Sequence, residues 1–214
     1  MWNLVRIKRL LENGEGQFLE FKKKANHPEK IVKELVAFAN TSGGNLLLGV
    51  DDDGTPSGSR EIEGEVFVLE QAIEKYIRPK IQYELEVIKL NQKKGLAIFS
   101  IPESKKKPHA VVDQESGTKV SYVRSQDRSL QASRELREII RRRQRPKDIQ
   151  FTFGDKEKLL LEHLEGHDHI TLSAFKEKAR LTKHLASRTL IRLVLANVLD
   201  VVPKENEDHY FLKN

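Results

Sequence analysis

The sequence contains no cysteine, and this absence excludes disulfide bonds and zinc sites built on thiolates. It also lacks any apolar run near the roughly 18 residues that a membrane-spanning helix needs. Residues 1–12 have the pattern of a short amphipathic helix, without the apolar core and cleavage site of a signal peptide. Together these absences predict a cytoplasmic protein in a reducing compartment, with no membrane partner.

Basic residues are in excess and occur in runs. The chain of 214 residues has 38 Lys and Arg against 32 Asp and Glu, a formal net charge of +6. A single basic run is most often a solvated surface, but several runs in one small protein favour DNA or RNA as partner. The residues of these runs that we expect to contact nucleic acid are Lys23, Lys24, Lys105, Lys106, Lys107, Arg141, Arg142 and Arg143. No aromatic residue is interleaved with the runs, so the sequence does not indicate stacking on single-stranded bases.

Helical and strand periodicities are mixed along the first two-thirds of the chain. An apolar stripe predicts a helix over residues 29–41, and the almost wholly apolar residues 45–50 predict a strand buried on both faces. The other elements that periodicity predicts are strands over residues 17–23, 82–90, 96–101, 109–112 and 119–124, and helices over 65–78 and 132–143. This order indicates the α+β class, with a mixed sheet flanked by helices.

The last third of the chain has the element order of a separate small domain. The basic, Pro-containing residues 141–147 have no apolar periodicity, which predicts a boundary. We therefore expect a first domain over residues 1–143, a linker over 144–154 and a second domain over 155–214. Three predicted helices followed by two short strands indicate a winged helix-turn-helix domain.

The third helix of this small domain, predicted over residues 183–196, is the one that would enter the major groove of DNA. Its apolar residues recur at helical spacing, and basic residues lie on the other side. The side chains that we expect to contact DNA are Lys183, Ser187, Arg188 and Arg192. The alternative is a domain that packs against a protein partner or another subunit.

Acidic residues are concentrated where the predicted sheet begins. Glu20 and Lys22 share one face of their strand, Glu15 precedes that strand between two glycines, and Asp51 follows the buried strand. If the two strands are neighbours, the three carboxylates converge at the sheet edge. Three oxygen ligands beside a lysine suit Mg²⁺ or Mn²⁺ acting on a phosphodiester, so these residues are the candidate catalytic set.

Three spaced blocks of sequence carry a resemblance to a known family. Residues 14–22, GEGQFLEFK, contain the pattern E-x4-E-x-K; residues 39–54 read ANTSGGNLLLGVDDDG; and Tyr122-Val123-Arg124 gives Y-x-R. These blocks, in this order, resemble those of Schlafen AlbA_2 domains over about residues 10–135. The family often has glycine two positions after the arginine, where this chain has Gln126.

The resemblance implies contact with nucleic acid. In the nuclease members of the family, two glutamates and an aspartate of these blocks cut structured RNA such as tRNA. Carried over, they are Glu15, Glu20 and Asp51, with Lys22 near the phosphate, and we expect Arg124 to contact nucleic acid as well. Many bacterial members are described only as DNA-binding proteins or transcriptional regulators. Eukaryotic members pair two such domains, which implies homodimerisation of a chain with one.

Other sites are not indicated by the sequence. The glycines between Gly43 and Gly49 lack the following Lys-Ser or Lys-Thr of a Walker A loop, so we expect no ATP. His163, His167 and His169 lie at a helix end and in a polar loop, where ordinary loop residues explain them better than a metal site.

Two hypotheses from different classes therefore stand at this point. The first is a DNA-binding or transcriptional-regulator-like module in which the carboxylates are structural: Asp51 in a strand-ending turn, Glu20 in a surface ion pair and Glu15 in solvent. The alternative is a metal-dependent endoribonuclease acting through Glu15, Glu20 and Asp51, with Mg or Mn as its cofactor. A protein scaffold is a third, weaker interpretation, and the sequence leaves open whether the chain is an enzyme.

Overall fold

The apolar residues that follow Gly43 lie at the centre of a sheet, as their composition predicts. In the computed structural model, which describes residues 2–144 and 153–213, the chain divides into two units, Met1–Gln131 and Ala132–Asn214. The helices of the first unit are α1 (Leu4–Leu11), α2 (Pro28–Asn40) and α3 (Ile62–Tyr76). Its strands are β1 (Leu19–Lys22), β2 (Gly44–Leu48), β3 (Ile77–Arg78), β4 (Glu84–Lys89), β5 (Gly95–Ile101), β6 (Ala110–Val112), β7 (Lys119–Val120), β8 (Tyr122–Ser125) and β9 (Arg128–Gln131).

The main sheet has the strand order β1-β2-β5-β4. Strands β1 and β2 are parallel neighbours, and the remaining pairs are antiparallel. The two strands are neighbours, as the convergence of the acidic residues requires, and the mixed sheet is confirmed. Their register is parallel, however, so Glu15 before β1 and Asp51 after β2 lie at opposite ends of the strand pair. Strand β1 lies at an edge of the sheet.

Strand β2 is buried on both faces, as predicted. Leu46 and Leu48 pack into a core formed with α2 and α3, whereas Leu47 packs into a second core with α1 on the other face. The glycine that precedes the strand ends α2: Gly43 has φ +77°, and a Cβ there would lie 2.7 Å from the carbonyl oxygen of Ile101. Only glycine fits this entry to the sheet.

Smaller sheets flank the main one. One has the order β3-β6-β7, and another is the hairpin of β8 and β9. The predicted strand over residues 119–124 is thus two strands, β7 and β8, which belong to different sheets. The hairpin turn places Gln126 at φ +58°, in the left-handed region that favours glycine. This is the position at which the sequence departs from the usual family pattern.

Strand β1 is shorter than the predicted strand over residues 17–23. Gly16 and Leu19 exchange two backbone hydrogen bonds, of 2.9 and 3.5 Å, and so close a tight turn before the strand. Glu15 precedes this turn, and Phe18 lies within it.

The second unit contains helices α4 (Arg134–Arg143), α5 (Asp155–Glu165), α6 (Leu172–Lys178) and α7 (Lys183–Leu195), and the hairpin of β10 (Leu199–Val202) and β11 (His209–Leu212). The predicted domain boundary places residues 132–143 in the first domain, but α4 belongs to this unit because Ile139 is buried in its core beside α7. Residues 145–152 of the predicted linker lie outside the described residues.

None of the helices within residues 2–144 and 153–213 combines the length and apolar character that crossing a membrane requires.

Candidate functional site

Arg124 lies at the centre of the site in the first unit. Its guanidinium is 2.9 Å from the carboxylate of Glu20 and 2.7 Å from that of Glu34, and its side chain is only 1% exposed. It also donates to the backbone carbonyls of Gly16 (3.0 Å) and Leu19 (3.2 Å). We predicted a nucleic-acid contact for Arg124; the structure instead buries it as the ion-pair partner that holds the start of β1.

Glu15, Glu20 and Lys22 converge beside this arginine. The Lys22 ammonium is 3.5 Å from the Glu15 carboxylate and also pairs with Glu20. Glu15 reaches the strand because its carboxylate accepts a 3.1 Å hydrogen bond from the backbone N–H of Phe21. The side chains of Glu15 and Lys22 are 34% and 38% exposed, whereas that of Glu20 is 6% exposed. Two of the three predicted acidic residues are therefore together, and Glu15 and Lys22 are the accessible part of the cluster.

Asp51, the third predicted acidic residue, pairs elsewhere. Its carboxylate lies 2.8 Å from the ammonium of Lys23, and this contact lowers the pKa of Asp51. Within residues 2–144 and 153–213, no group of three or more His, Asp or Glu side chains is placed to hold a metal ion. Both carboxylate oxygens of Glu20 are engaged by cations, Lys22 and Arg124. The expected Mg²⁺ or Mn²⁺ site does not fit this arrangement.

The electrostatics of Glu15 differ from those of an ordinary surface glutamate. Burial raises the pKa of Glu15, and its hydrogen bond with Glu20 raises the pKa further. A shifted pKa is a property that many catalytic carboxyls share, and the adjacent Lys22 is a cation that is 38% exposed. The cluster thus combines a carboxyl of raised pKa with a cation.

Several residues that support the site were not found by sequence reasoning. Glu34, on α2, neutralises Arg124 and accepts a hydrogen bond from Ser129. Gln17 donates to the Arg124 carbonyl (3.3 Å) and accepts from the backbone N–H of Gln126 (2.8 Å). In the sequence, Glu34 and Gln17 lie at positions typical of surface residues, so a single sequence carries no signal of their roles.

The second block also supports the site through a buried asparagine. Asn40 donates to the backbone carbonyls of His109 (2.9 Å) and Tyr122 (2.8 Å), and accepts from the His109 N–H (2.7 Å). It therefore joins the end of α2 to the segments that lead to Arg124. Three of the four hydrogen bonds that this buried amide can form are therefore made within the fold.

The lysine run at residues 105–107 is divided by the fold. Lys105 and Lys106 are exposed, so their ammonium groups are accessible to a ligand. Lys107 is not: its side chain is 8% exposed, and its ammonium donates to the Thr41 carbonyl (2.7 Å) and pairs with Glu103 (2.6 Å). The predicted nucleic-acid contact of Lys107 does not agree with this burial.

In the second unit, α7 has one apolar and one basic side. Ala186, Leu190, Leu193 and Val194 are buried, as their spacing predicts. Among the predicted contact residues, Lys183 and Arg188 are exposed and Arg192 is half-buried. Ser187 is the exception, because it is buried and donates a 2.6 Å hydrogen bond to Glu135 of α4. A direct contact of Ser187 with DNA is incompatible with that position.

The basic end of α4 is only partly available. Arg141 is exposed and pairs with Glu138 of the same helix, Arg142 is half-buried and Arg143 is exposed. In the first unit Lys24 is exposed, and Lys23 is exposed but paired with Asp51.

The histidines form two stacked pairs in the second unit. The rings of His163 and His167 have centroids 4.0 Å apart, and those of His169 and His209 are 3.7 Å apart. None of them belongs to a three-ligand group in the part of the chain that the structure describes.

The convergence of the first and last sequence blocks at Arg124 agrees with a comparison against protein families. The family model "Schlafen, AlbA_2" matches residues 15–133, more than half of the chain. The chain belongs to the Schlafen AlbA_2 family. Glu15, Glu20 and Asp51 all lie within the matched part of this Schlafen AlbA_2 protein.

Two solved structures are similar to this Schlafen AlbA_2 protein. The N-terminal domain of a RecG-related protein from Nitrosomonas europaea is 22% identical, with a TM-score of 0.45, over 58% of this chain and 88% of that domain. The DIP2311 protein from Corynebacterium diphtheriae is 20% identical, with a TM-score of 0.44, over 82% of this chain; the match spans only 32% of that protein. A comparison with curated proteins gives no significant match.

Proposed function

We propose that this Schlafen AlbA_2 protein binds nucleic acid as a DNA-binding, transcriptional-regulator-like module that uses α7 as its recognition helix. The observation that carries the proposal is the solvent-facing side of α7. Lys183, His184 and Arg188 are exposed in its first two turns, and its sequence contains no acidic residue. A recognition helix contacts base edges with its N-terminal residues and phosphates with its cations.

The elements around α7 support the same proposal. Helices α5, α6 and α7 are followed by the antiparallel hairpin of β10 and β11, which is the order of a winged helix-turn-helix domain. In that interpretation the hairpin is the wing, and its loop carries the exposed Lys204. The same loop also carries Glu205, Glu207 and Asp208, so the cations that suit phosphates are mainly those of α7.

Family membership supports contact with nucleic acid more broadly. The Schlafen AlbA_2 family includes DNA-binding regulators and RNA-cutting enzymes. Both classes bind a polyanion, so membership favours a polyanionic ligand for this chain in either case. The formal net charge of +6 favours such a ligand at long range.

A second candidate function, cleavage of structured RNA, is favoured by one observation: Glu15, with its raised pKa, lies 3.5 Å from the Lys22 ammonium. The ion pair between Asp51 and Lys23 and the engaged oxygens of Glu20 weigh against the metal-dependent form of this chemistry. We therefore rank cleavage below binding.

One experiment separates the two candidates. The full chain is incubated with duplex DNA and with tRNA, with and without Mn²⁺, and both binding and cleavage are measured. We expect salt-sensitive binding of duplex DNA without cleavage, and weaker binding by the double variant Lys183→Gln, Arg188→Gln, roughly fivefold or more. Lys158→Gln on α5 removes one exposed charge outside α7 and serves as the control.

Cleavage of tRNA that disappears in Glu15→Gln would instead establish the nuclease. Duplex binding that is the same in the double variant and in the wild type would contradict the assignment of α7 as the recognition helix.

A further inference from the structure

An aromatic side chain is exposed directly beside the acidic and basic cluster. Phe18 lies in the tight turn formed by residues 16–19, and it is 54% exposed. Its neighbour Leu19 is 4% exposed, so the fold has an apolar core within one residue of this ring. A single exposed ring is common on protein surfaces, and Phe67 is more exposed still, so what distinguishes Phe18 is its place in a turn next to charged residues.

The backbone that presents this ring is held from several sides. Arg124 donates to both carbonyls that close the turn, those of Gly16 and Leu19. The backbone N–H of Asn45 donates to the Phe18 carbonyl at 2.8 Å. The neighbouring Gln17 is fixed by its bonds with the β8–β9 hairpin. The turn is therefore preorganised, and a ligand that contacts the ring has only the two side-chain torsions of Phe18 to order.

Cations lie on the same border of the sheet. The Lys22 ammonium is 3.5 Å from Glu15, the residue directly before the turn, and its side chain is 38% exposed. Lys24, two residues further along, is exposed as well. The Lys22 ammonium pairs with Glu15 and Glu20, so a phosphate would compete with these carboxylates for it, whereas Lys24 is exposed. An aromatic face near cations is the combination that proteins use to bind unpaired nucleotides.

We propose that Phe18 stacks on an unpaired base of single-stranded nucleic acid while Lys22 binds an adjacent phosphate. This inference rests on the proposed nucleic-acid function and adds a ligand class to it: a single strand, or an unpaired segment of a folded RNA, at the AlbA_2 domain. A duplex does not fill this site because its bases are already stacked on one another. A protein partner could also cover a ring, but the neighbouring lysines favour a polyanion.

The test uses the full chain and labelled oligothymidylate, oligouridylate and duplex DNA, with affinities measured by fluorescence anisotropy. We expect Phe18→Ala to weaken binding of the single strands by about fivefold to 150-fold, because stacking of one base on an aromatic ring has that effect. Phe18→Trp should retain the affinity, and duplex binding should not change. The comparison between oligothymidylate and oligouridylate shows whether DNA or RNA is preferred.

Phe67→Ala is the matched control, since Phe67 on α3 is 63% exposed and lies outside the cluster. It should leave all three affinities unchanged. Both substituted rings are exposed, so both variants should fold, which circular dichroism verifies.

Three other results would contradict the inference. Equal single-strand affinities for Phe18→Ala and wild type, with duplex binding intact, would overturn this inference and leave the proposed function standing. Absence of binding to every nucleic acid would overturn both. A shift in the monomer–dimer distribution of Phe18→Ala, without a decrease in single-strand affinity, would assign the ring to a second copy of the chain instead.

Discussion

The guanidinium of Arg124 lies 2.9 Å from the carboxylate of Glu20, and both side chains are buried. This pair joins the last of the three sequence blocks to the first, across 104 positions of the chain. Glu34 on α2 is bound by the same guanidinium. The arginine therefore connects the edge strand, a helix and the β8–β9 hairpin, and it fixes the turn that follows Glu15 and contains Phe18.

Replacement of Arg124 should be strongly destabilising. In Arg124→Met the carboxylates of Glu20 and Glu34 would lose their buried cation, a change that typically costs about 3–5 kcal/mol of unfolding free energy. Urea unfolding measures the difference. Lys23→Met is the control, because it removes a 64%-exposed ammonium from its partner Asp51 and should change stability far less. A decrease below about 1 kcal/mol in Arg124→Met would show that the pair does not organise the fold.

The hydrogen bond between Ser187 and Glu135 predicts the behaviour of the second unit. Both residues are buried, so Ser187→Ala would leave the Glu135 carboxylate without its donor, at a cost of about 1–3 kcal/mol. Thermal unfolding should show a lower melting temperature. Ser173→Ala, which removes an exposed bond to Glu207, is the comparison and should have a smaller effect. If Ser187→Ala instead weakened DNA binding at unchanged stability, Ser187 would be a contact residue after all.

His109 should make the first unit sensitive to acid. The Pro79 carbonyl, 2.7 Å from Nδ1, can only accept, so Nδ1 carries the proton and Nε2 accepts from Ser104 at 2.6 Å. Burial lowers the pKa of His109 below its ordinary value of 6.5. The folded state therefore binds the second proton, the one that charges the ring, more weakly than the unfolded state does. The stability that the neutral His109 contributes is present above pH 6.5 and is lost as the pH falls through the lowered pKa.

An NMR titration of the imidazole resonances measures this pKa directly, with a midpoint expected below 6.5 for His109. Denaturant unfolding should also show that the stability difference between wild type and His109→Gln decreases on acidification. His27→Gln, at an exposed position, is the control for replacing a histidine by glutamine. A His109 midpoint at or above its ordinary value would contradict the buried neutral ring.

Much of this fold could be predicted from local pattern. The apolar run at residues 45–50 predicted the central strand β2, and the helical stripes predicted α2 and α7, because burial imposes those periodicities directly. The helix over residues 132–143 was predicted as well, but it was assigned to the first domain, whereas it belongs to the second unit. Its apolar residues show that α4 must pack, whereas only the packing of Ile139 beside α7 shows what it packs against.

The site was predicted less completely, for a similar reason. Strand geometry predicts Glu20 and Lys22 on one face, and a turn before the strand allows Glu15 to join them, as the structure shows. Arg124 is distant, and nothing local distinguishes an arginine that contacts phosphate from one buried between carboxylates. The sequence predicts Asp51 in the cluster, but the parallel register of β1 and β2 places the end of β2 beside Lys23, whose ammonium pairs with Asp51. Long-range charge pairing is what a single sequence conceals.

The most direct test of nucleic-acid binding through α7 is the salt dependence of duplex DNA affinity for wild type and Arg188→Gln. Removal of one cation that binds a phosphate reduces the slope of log affinity against log salt concentration by about 1. We predict a strongly negative slope for wild type, a slope shallower by about that amount for Arg188→Gln, and an unchanged slope for the control Lys158→Gln. A wild-type affinity that is independent of salt, or an Arg188→Gln slope equal to that of the wild type, would contradict the account.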